Sequence, residues 1–454
     1  MKVTHDGRLF TVEVRADGDD RTVNHAGAGL LGEVADRLGL TSALSDVLAG
    51  LRQRGGGHDP GRVICDLAVV LADGGDCVAD LRTLRDQGAL FGRVASDATA
   101  WRVIDAVAQR GLLDEVRAAR AVARQRAWEL GCRPEGPLVI DVDATLITAH
   151  SDKDGAAGSY KGGFGFHPLL AYLDLPDGPA GGLPLAGLLR PGNAGSNTAA
   201  DHIEVLDQAL AALPQQVAGD AEIVVRADSA GATHDLLDFC REAHLRFSVG
   251  FGLDEAVRDA ILAVAEPDWA PAQAADGSPR DNGQVIEITH ALDLGAWPNG
   301  ARVIVRRERP HPGAQLSFTD HDGHRFQAIL TDQTGADIAG LERLHRARAR
   351  VEDRIRAAKD CGLTNLPFRA FDANEVWVEL VAIAQELIAY TQALLLTGDL
   401  ARAEPKRLRY RLLHTAGRLA FHARTARLRL PASWPWASDL ANAFARLAAL
   451  PAPG

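Results

Sequence analysis

Between Gly136 and Gly252 the chain alternates short apolar runs with loops and helical stretches, in an order that few folds accept. PLVIDVDATLITA reads as a buried strand, GSYKGGFGFH as a glycine-rich hairpin connection, and PLLAYLDL and LPLAGLLR as two further strands. TAADHIEVLDQALAAL then carries its apolar residues at helical spacing, with caps available from Ser196 to Thr198. AEIVVRADS returns to a strand, THDLLDFCREA is a second helix, and LRFSVGF is a fifth strand. Three strands joined tightly, followed by helix, strand, helix and strand, predict an α/β unit on one mixed sheet.

That order is the one expected of an RNase H-like sheet, and the rest of the chain arranges itself around it. At 454 residues the protein is too long for one simple core, so two or three structural units are expected. Residues 1–135 are expected to be helical: GAGLLGEVADRLGL and TSALSDVLAGLRQ are periodic, with Thr41 or Ser42 as a cap, and Ser96 or Asp97 caps a short helix carrying Trp101 and Arg102. Such a region is either a small DNA-binding module or an all-helical packing domain. Residues 136–252 hold the first part of the core. From 253 to 332 the helical rhythm mostly stops, and VIEITHALDL, ARVIVRRER, QLSFTD and RFQAILTD read as strands of a β-rich insertion. Residues 333–395 complete the core with a charged helix, GADIAGLERLHRARARVEDRIRAAKD, and a buried one, VWVELVAIAQELIAYTQALLL. Residues 396–454 form a basic region expected to be helical.

Charge and cysteine usage narrow the function classes. The net charge of -11 argues against a surface coated in cations, but the charge is segregated. Arg402, Lys406, Arg407, Arg409, Arg411, Arg418, Arg424, Arg427 and Arg429 fall in one segment whose one acid is Glu404. Cys65, Cys77, Cys132, Cys240 and Cys361 are scattered with no C-x-x-C pair, which predicts reduced, partly buried thiols. No apolar run reaches the ~18 residues of a membrane span, and the charged start MKVTHDGRLFTVEVRADGDD lacks a secretory pattern. A cytoplasmic protein without membrane contact is expected.

Two stretches point to chemistry. Asp141-Val142-Asp143-Ala144-Thr145 is spelled like the D-x-D-x-T signature of haloacid-dehalogenase-type phosphatases, which would use Asp141 and Asp143. The later acids Asp228 and Asp235 do not suit that pattern, and it leaves the basic helix near residue 350 unexplained. In that helix His345, Arg348, Glu352 and Lys359 are separated by three, four and seven residues, which places all four on one face. A glutamate flanked by cations can keep its charge and bind a divalent metal while the cations meet a phosphate backbone. A solvated helix with an Arg348 to Glu352 salt bridge is the plainer reading.

The spacing His345-x2-Arg348-x3-Glu352-x6-Lys359 resembles the Tyr-x2-Arg-x3-Glu-x6-Lys signature of DDE-class bacterial insertion-sequence transposases, with histidine in the tyrosine position. IDVDAT with the following YKGGFGFHPLLAYL, and VVRADS at the end of a later strand, look like the same family. The resemblance implies a catalytic and metal-binding triad of Asp143, Asp228 and Glu352 holding two Mg2+ or Mn2+ ions per active site. Asp141 shares a strand face with Asp143 and is either a further ligand or a carboxylate satisfied by backbone groups. His345, Arg348 and Lys359 are expected to contact DNA, as are Arg407, Arg409, Arg411, Arg424 and Arg427 of a basic helix. Trp297, in GAWPNG, is a candidate for stacking on an extruded base or for packing a turn. The function implied is cut-and-paste transposition: binding of double-stranded DNA at terminal inverted repeats, hydrolysis to a 3′ hydroxyl, and attack on target DNA, by a homodimer in a synaptic complex. The alternatives are a domesticated, catalytically inactive DNA-binding protein and the phosphatase.

Overall fold

The computed structural model describes residues 2–5, 8–11, 21–52, 56–175, 178, 181–214, 221–310, 313, 320–422 and 425–452. Five strands form the predicted unit: β1 (Leu138–Ala144), β2 (Leu169–Asp174), β3 (Gly182–Leu188), β4 (Ile223–Ala227) and β5 (Arg246–Phe251). β1, β2 and β3 pair antiparallel in chain order. β4 pairs parallel with β1 and β5 parallel with β4, so the spatial order is β3-β2-β1-β4-β5. The tight turns permit the antiparallel pairs, and a helix crossing one face supplies each parallel return. β4 is buried along its length and β1 along most of it, which is why both read as near-continuous apolar runs interrupted by charge.

The segment after β5 does not stand apart. After a helix at Glu255–Leu262, the strands β6 (Ala270–Gln273), β7 (Pro279–Glu287), β8 (Arg302–Glu308) and β9 (His324–Thr331) continue the same sheet, because β9 pairs antiparallel with β5. The full order is β6-β7-β8-β9-β5-β4-β1-β2-β3. THALDL, expected as the end of a strand, instead holds a tight helical turn at Thr289–Ala291. The QLSFT part of the expected strand QLSFTD lies outside the described residues.

Helices α1 (Gly29–Arg37), α2 (Leu40–Val47), α3 (Pro60–Ala72), α4 (Asp97–Gln109) and α5 (Leu113–Ala127) make the N-terminal region. Ser96 caps α4 by accepting from the Thr99 amide, as its sequence predicts. The cap expected at Thr41 or Ser42 is displaced. α2 begins earlier, after Gly39 in a left-handed conformation, and the Thr41 hydroxyl donates to Asp36 while Ser42 donates back to the Gly39 carbonyl. Helices α6 (Ala199–Ala211) and α7 (His234–Glu242) are the two crossovers.

The charged helix expected over 335–360 is two helices, α8 (Ile338–Arg346) and α9 (Arg350–Ala358), joined by a tighter turn at Ala347–Ala349. α10 (Phe371–Leu395) is long and apolar enough to cross a membrane, yet 89% of its most apolar window is buried inside the protein. It packs against α1, α3, α4, β3 and α11 (Ala437–Ala449), which makes the N-terminal helices part of the shell around a core helix. Its buried acids Glu379 and Glu386 are met by Arg120 and Arg124 of α5, and both guanidinium groups also donate to the Pro184 carbonyl of edge strand β3. The basic tail is not one helix. Gly417–His422 and Thr425–Arg429 form a hairpin whose first strand pairs with Thr22–Val23. Arg427 and Arg429 alternate with Leu428, so the period is that of a strand.

Candidate active site

Val142 of β1 lies opposite Ala227 of β4 in a parallel pair, so the next residues, Asp143 near the end of β1 and Asp228 just after β4, lie side by side at the C-terminal edge of the sheet. Such an edge is where an open α/β sheet leaves room for a ligand. One oxygen of each carboxylate is held locally: Asp143 Oδ1 accepts from the Ala144 amide at 2.9 Å, and Asp228 Oδ1 from the Ala230 amide at 2.9 Å. The second oxygen of Asp143 lies 3.3 Å from Arg348. Burial raises the Asp143 pKa and the neighbouring Asp228 charge adds to this, while the Arg348 guanidinium opposes both.

Glu352 reaches the same place from α9, which packs on β1 and β2. A cleft of about 600 Å³ is lined by Asp228, Ser229, His345, Arg348 and Glu352, with Gly250 and Phe251 of β5 in its wall. Gly250 is required there by contact: a Cβ at this position would sit 2.7 Å from the Ser229 amide nitrogen, inside the turn that carries Asp228. Arg280, Arg306 and Arg346 bring further positive charge to the cleft, partly balanced by Glu308 and Glu342.

The face predicted on the charged helix is partly realised. His345, Arg348 and Glu352 line the cleft, while Lys359 lies beyond α9 in a turn where burial lowers its pKa. His345, expected to contact DNA, lines the cleft without a charge. Burial, with Arg348 and Arg226 nearby, lowers its pKa to about 3, so it is neutral and is held by the Ser248 hydroxyl at 3.0 Å.

Asp141 is not at the site mouth. Its side chain is 0% exposed, and Arg226 binds it through two bonds of 2.7 Å while Arg354 adds a third of 2.7 Å. Arg226 and Arg354 also pair with buried Asp174, and Arg350 joins at 3.1 Å. The two carboxylates and two guanidinium groups form a buried charge network, with Asp174 and Arg226 at the wall of a second cavity. Asp141 precedes Asp143 by two residues, Arg226 precedes Asp228 by two, and Arg354 follows Glu352 by two. Neither the further-ligand role nor the phosphatase role of Asp141 survives this, because its oxygens face guanidinium groups and no solvent. Sequence reasoning missed Asp174, Arg226 and Arg354. The available signal was a charge inside each of two apolar strand runs, VIDV and VVRA, which demands a buried partner.

The remaining candidates divide. Trp297, half-buried, stacks on His234 at a centroid distance of 4.1 Å and meets Phe251 edge-on at 5.5 Å, so it packs against the cleft wall. Arg409 is buried and donates to the Ala72 and Asp360 carbonyls at 2.8 Å each, capping the C-terminus of α3, which removes it from the expected DNA-contacting set. Arg411 lies over the Trp436 ring at 4.9 Å, and Arg407 and Arg427 are exposed. Arg424 lies outside the described residues. At the sheet edge, the predicted glycine-rich connection presents exposed Tyr160, Lys161 and Phe164.

The donors of Asp143, Asp228 and Glu352 are all carboxylate oxygens, and one of the three is destabilised by a neighbouring negative charge, so the set fits a hard divalent cation. Their ligand atoms are not all within 4.8 Å of one another, unlike those of two other groups among the described residues.

The family profile described as transposase DDE domain, group 1, matches residues 6–452. No curated protein matches this chain. Among solved structures, a piggyBac transposase synaptic complex with hairpin DNA, determined by cryo-EM, is similar at 9% identity and a TM-score of 0.38, covering 86% of this chain and 81% of that one.

Proposed function

The chain belongs to the group 1 family of transposase DDE domains, and from that premise we propose that Asp143, Asp228 and Glu352 are its catalytic triad in cut-and-paste transposition. It is a DNA transposase, an enzyme of metal-dependent DNA cleavage and strand transfer. The observation that supports the triad is positional: two aspartates at the ends of adjoining parallel strands and one glutamate from the helix above reach one edge of the sheet, with Arg348 among them. The three carboxylates would hold two ions, Mg2+ or Mn2+, which supply activation of the attacking oxygen and stabilisation of the leaving oxygen. Arg348, held against Asp143, places a guanidinium where a scissile phosphate would enter, and Arg280, Arg306 and Arg346 attract the backbone toward the cleft.

The substrates we infer are terminal inverted repeats and target DNA of an insertion sequence, engaged by a homodimer. Tyr160, Lys161 and Phe164 suit contact with a DNA end by stacking and charge. Metal-dependent strand transfer by Asp228→Asn and Glu352→Gln proteins tests the triad. Removing one metal ligand forfeits several kcal/mol of charge stabilisation, so activity should fall by about 10³-fold or more with the fold retained by circular dichroism. Full activity in either protein would sink the assignment. Specific DNA binding by the unaltered chain without nicking in Mg2+ or Mn2+ would mark one that has kept binding and lost catalysis.

A further inference from the structure

A second group of side chains, remote in sequence, converges where the two ends of the chain meet. His25 precedes the turn Ala26–Ala28, Asp73 closes the C-terminus of α3, and His414 precedes the basic hairpin. His25 Nδ1 lies 2.5 Å from Asp73 Oδ2, and His414 Nε2 lies 3.2 Å from Asp73 Oδ1 and 2.9 Å from the Asp73 carbonyl. The three ligand atoms all fall within 4.8 Å of one another.

The electrostatics of this group call for a cation. The Asp73 side chain is 4% exposed, and a carboxylate at a helix C-terminus sits at the negative end of the dipole. Its Oδ1 is buried, and the group facing it is the His414 ring, 3.2 Å away. Arg409 donates to the α3 carbonyls of Ala72 and Leu71. A buried carboxylate whose two oxygens each face an imidazole nitrogen is an arrangement a metal ion completes.

We propose that His25, Asp73 and His414 bind one first-row transition ion, Zn2+ as the reference case, at a site separate from the triad's cleft. Two imidazole nitrogens and one carboxylate oxygen are a donor set for zinc or its neighbours, and hard magnesium or calcium would select oxygens alone. Ligand bonds of about 2.0–2.2 Å put ligand atoms a little over 3 Å apart, so the His25 ring must withdraw by roughly 1 Å from its present contact. The His414 side chain is 41% exposed, which leaves a solvent-facing position for a fourth, water ligand. Zinc here would tie the strand Thr22–Val23 and the hairpin Gly417–Arg429 to the end of α3 at their common root.

The test uses the full chain carrying Asp228→Asn and Glu352→Gln, stripped with a chelator and titrated with Zn2+ and with Co2+. The expected result is one equivalent per chain, with a cobalt spectrum showing imidazole ligands, and a denaturation midpoint raised by zinc. In a His25→Gln, His414→Gln chain, which keeps hydrogen-bonding groups beside Asp73, uptake and the zinc-induced rise should both be lost. Absence of uptake by the parent chain, a measurement that needs no altered histidine, overturns the proposal and leaves a hydrogen-bonded cluster. Equal uptake by both chains overturns it too.

Discussion

Asp141 and Asp143 are two residues apart on one strand and have opposite consequences when neutralised. The Asp143 carboxyl has a pKa raised by burial and by Asp228 against the pull of Arg348, so the folded chain binds that proton more tightly than the unfolded chain does. Its ionisation therefore works against the fold, and the cost grows as pH rises through the folded pKa. Asp143→Asn should abolish strand transfer while leaving the denaturation midpoint at pH 7 equal or higher. Asp141→Asn should instead cost about 3–5 kcal/mol of stability, because Arg226 and Arg354 would be left buried against a neutral partner. Urea denaturation of the two proteins checks both, and an Asp141→Asn midpoint equal to wild type would contradict the buried charge network. His345 adds a pH dependence: its pKa is depressed to about 3, so the unfolded chain binds the extra proton, and stability should decline as pH falls from the ordinary histidine value of 6.5 toward 3.

At the scale of elements, the seam between α5 and α10 is held by charge as well as by apolar contact. Glu379 and Glu386 are seven residues apart on α10, and Arg120 and Arg124 four apart on α5, so each pair lies on one face of its helix. Glu386→Ala would take from buried Arg124 its carboxylate and leave Arg120 with Glu379 alone, and a loss of about 3–5 kcal/mol is expected in denaturant titrations. Half-buried Arg126, paired to solvent-facing Glu129 within one turn, should cost far less than Glu386 when changed to alanine. Gly250 is a comparable point of contact between β5 and the Asp228 turn. Gly250→Ala should push that turn aside and reduce strand transfer by more than it reduces stability, since the clash falls on the carboxylate-bearing loop.

For the whole molecule, an acidic chain must bind a polyanion, and the structure places cations in separate districts: the cleft wall of Arg280, Arg306 and Arg346, and the hairpin of Arg427 and Arg429. If the hairpin meets phosphate, changing Arg427 and Arg429 to alanine should weaken binding to all DNA sequences alike and reduce the slope of log affinity against log salt by about one per contact. An unchanged slope would place DNA elsewhere on the surface. The hairpin leans on Thr22–Val23 at the other end of the chain, so its orientation depends on packing around α3 and α10.

What could be read from the residues alone was whatever local periodicity and spacing encode. Apolar runs and their connections determined the five-strand order, the buried character of α10, the Ser96 cap, and the placing of Asp143 and Asp228 at strand ends. The helical period brought His345, Arg348 and Glu352 to one cleft through a break in the helix. The tertiary structure alone decided which charges are buried. Asp141 is defined by Arg226 and Arg354, 85 and 213 residues away, and Arg409 by the Ala72 carbonyl 337 residues before it. It also decided that β9 joins β5, so that the expected β-rich insertion extends the core sheet. The arginine-dense tail misled because repeated arginines fit either period, and only a partner strand selects the extended one. Burial of a charge and pairing of a strand are both settled by what lies opposite, and no local stretch of sequence contains its own partner.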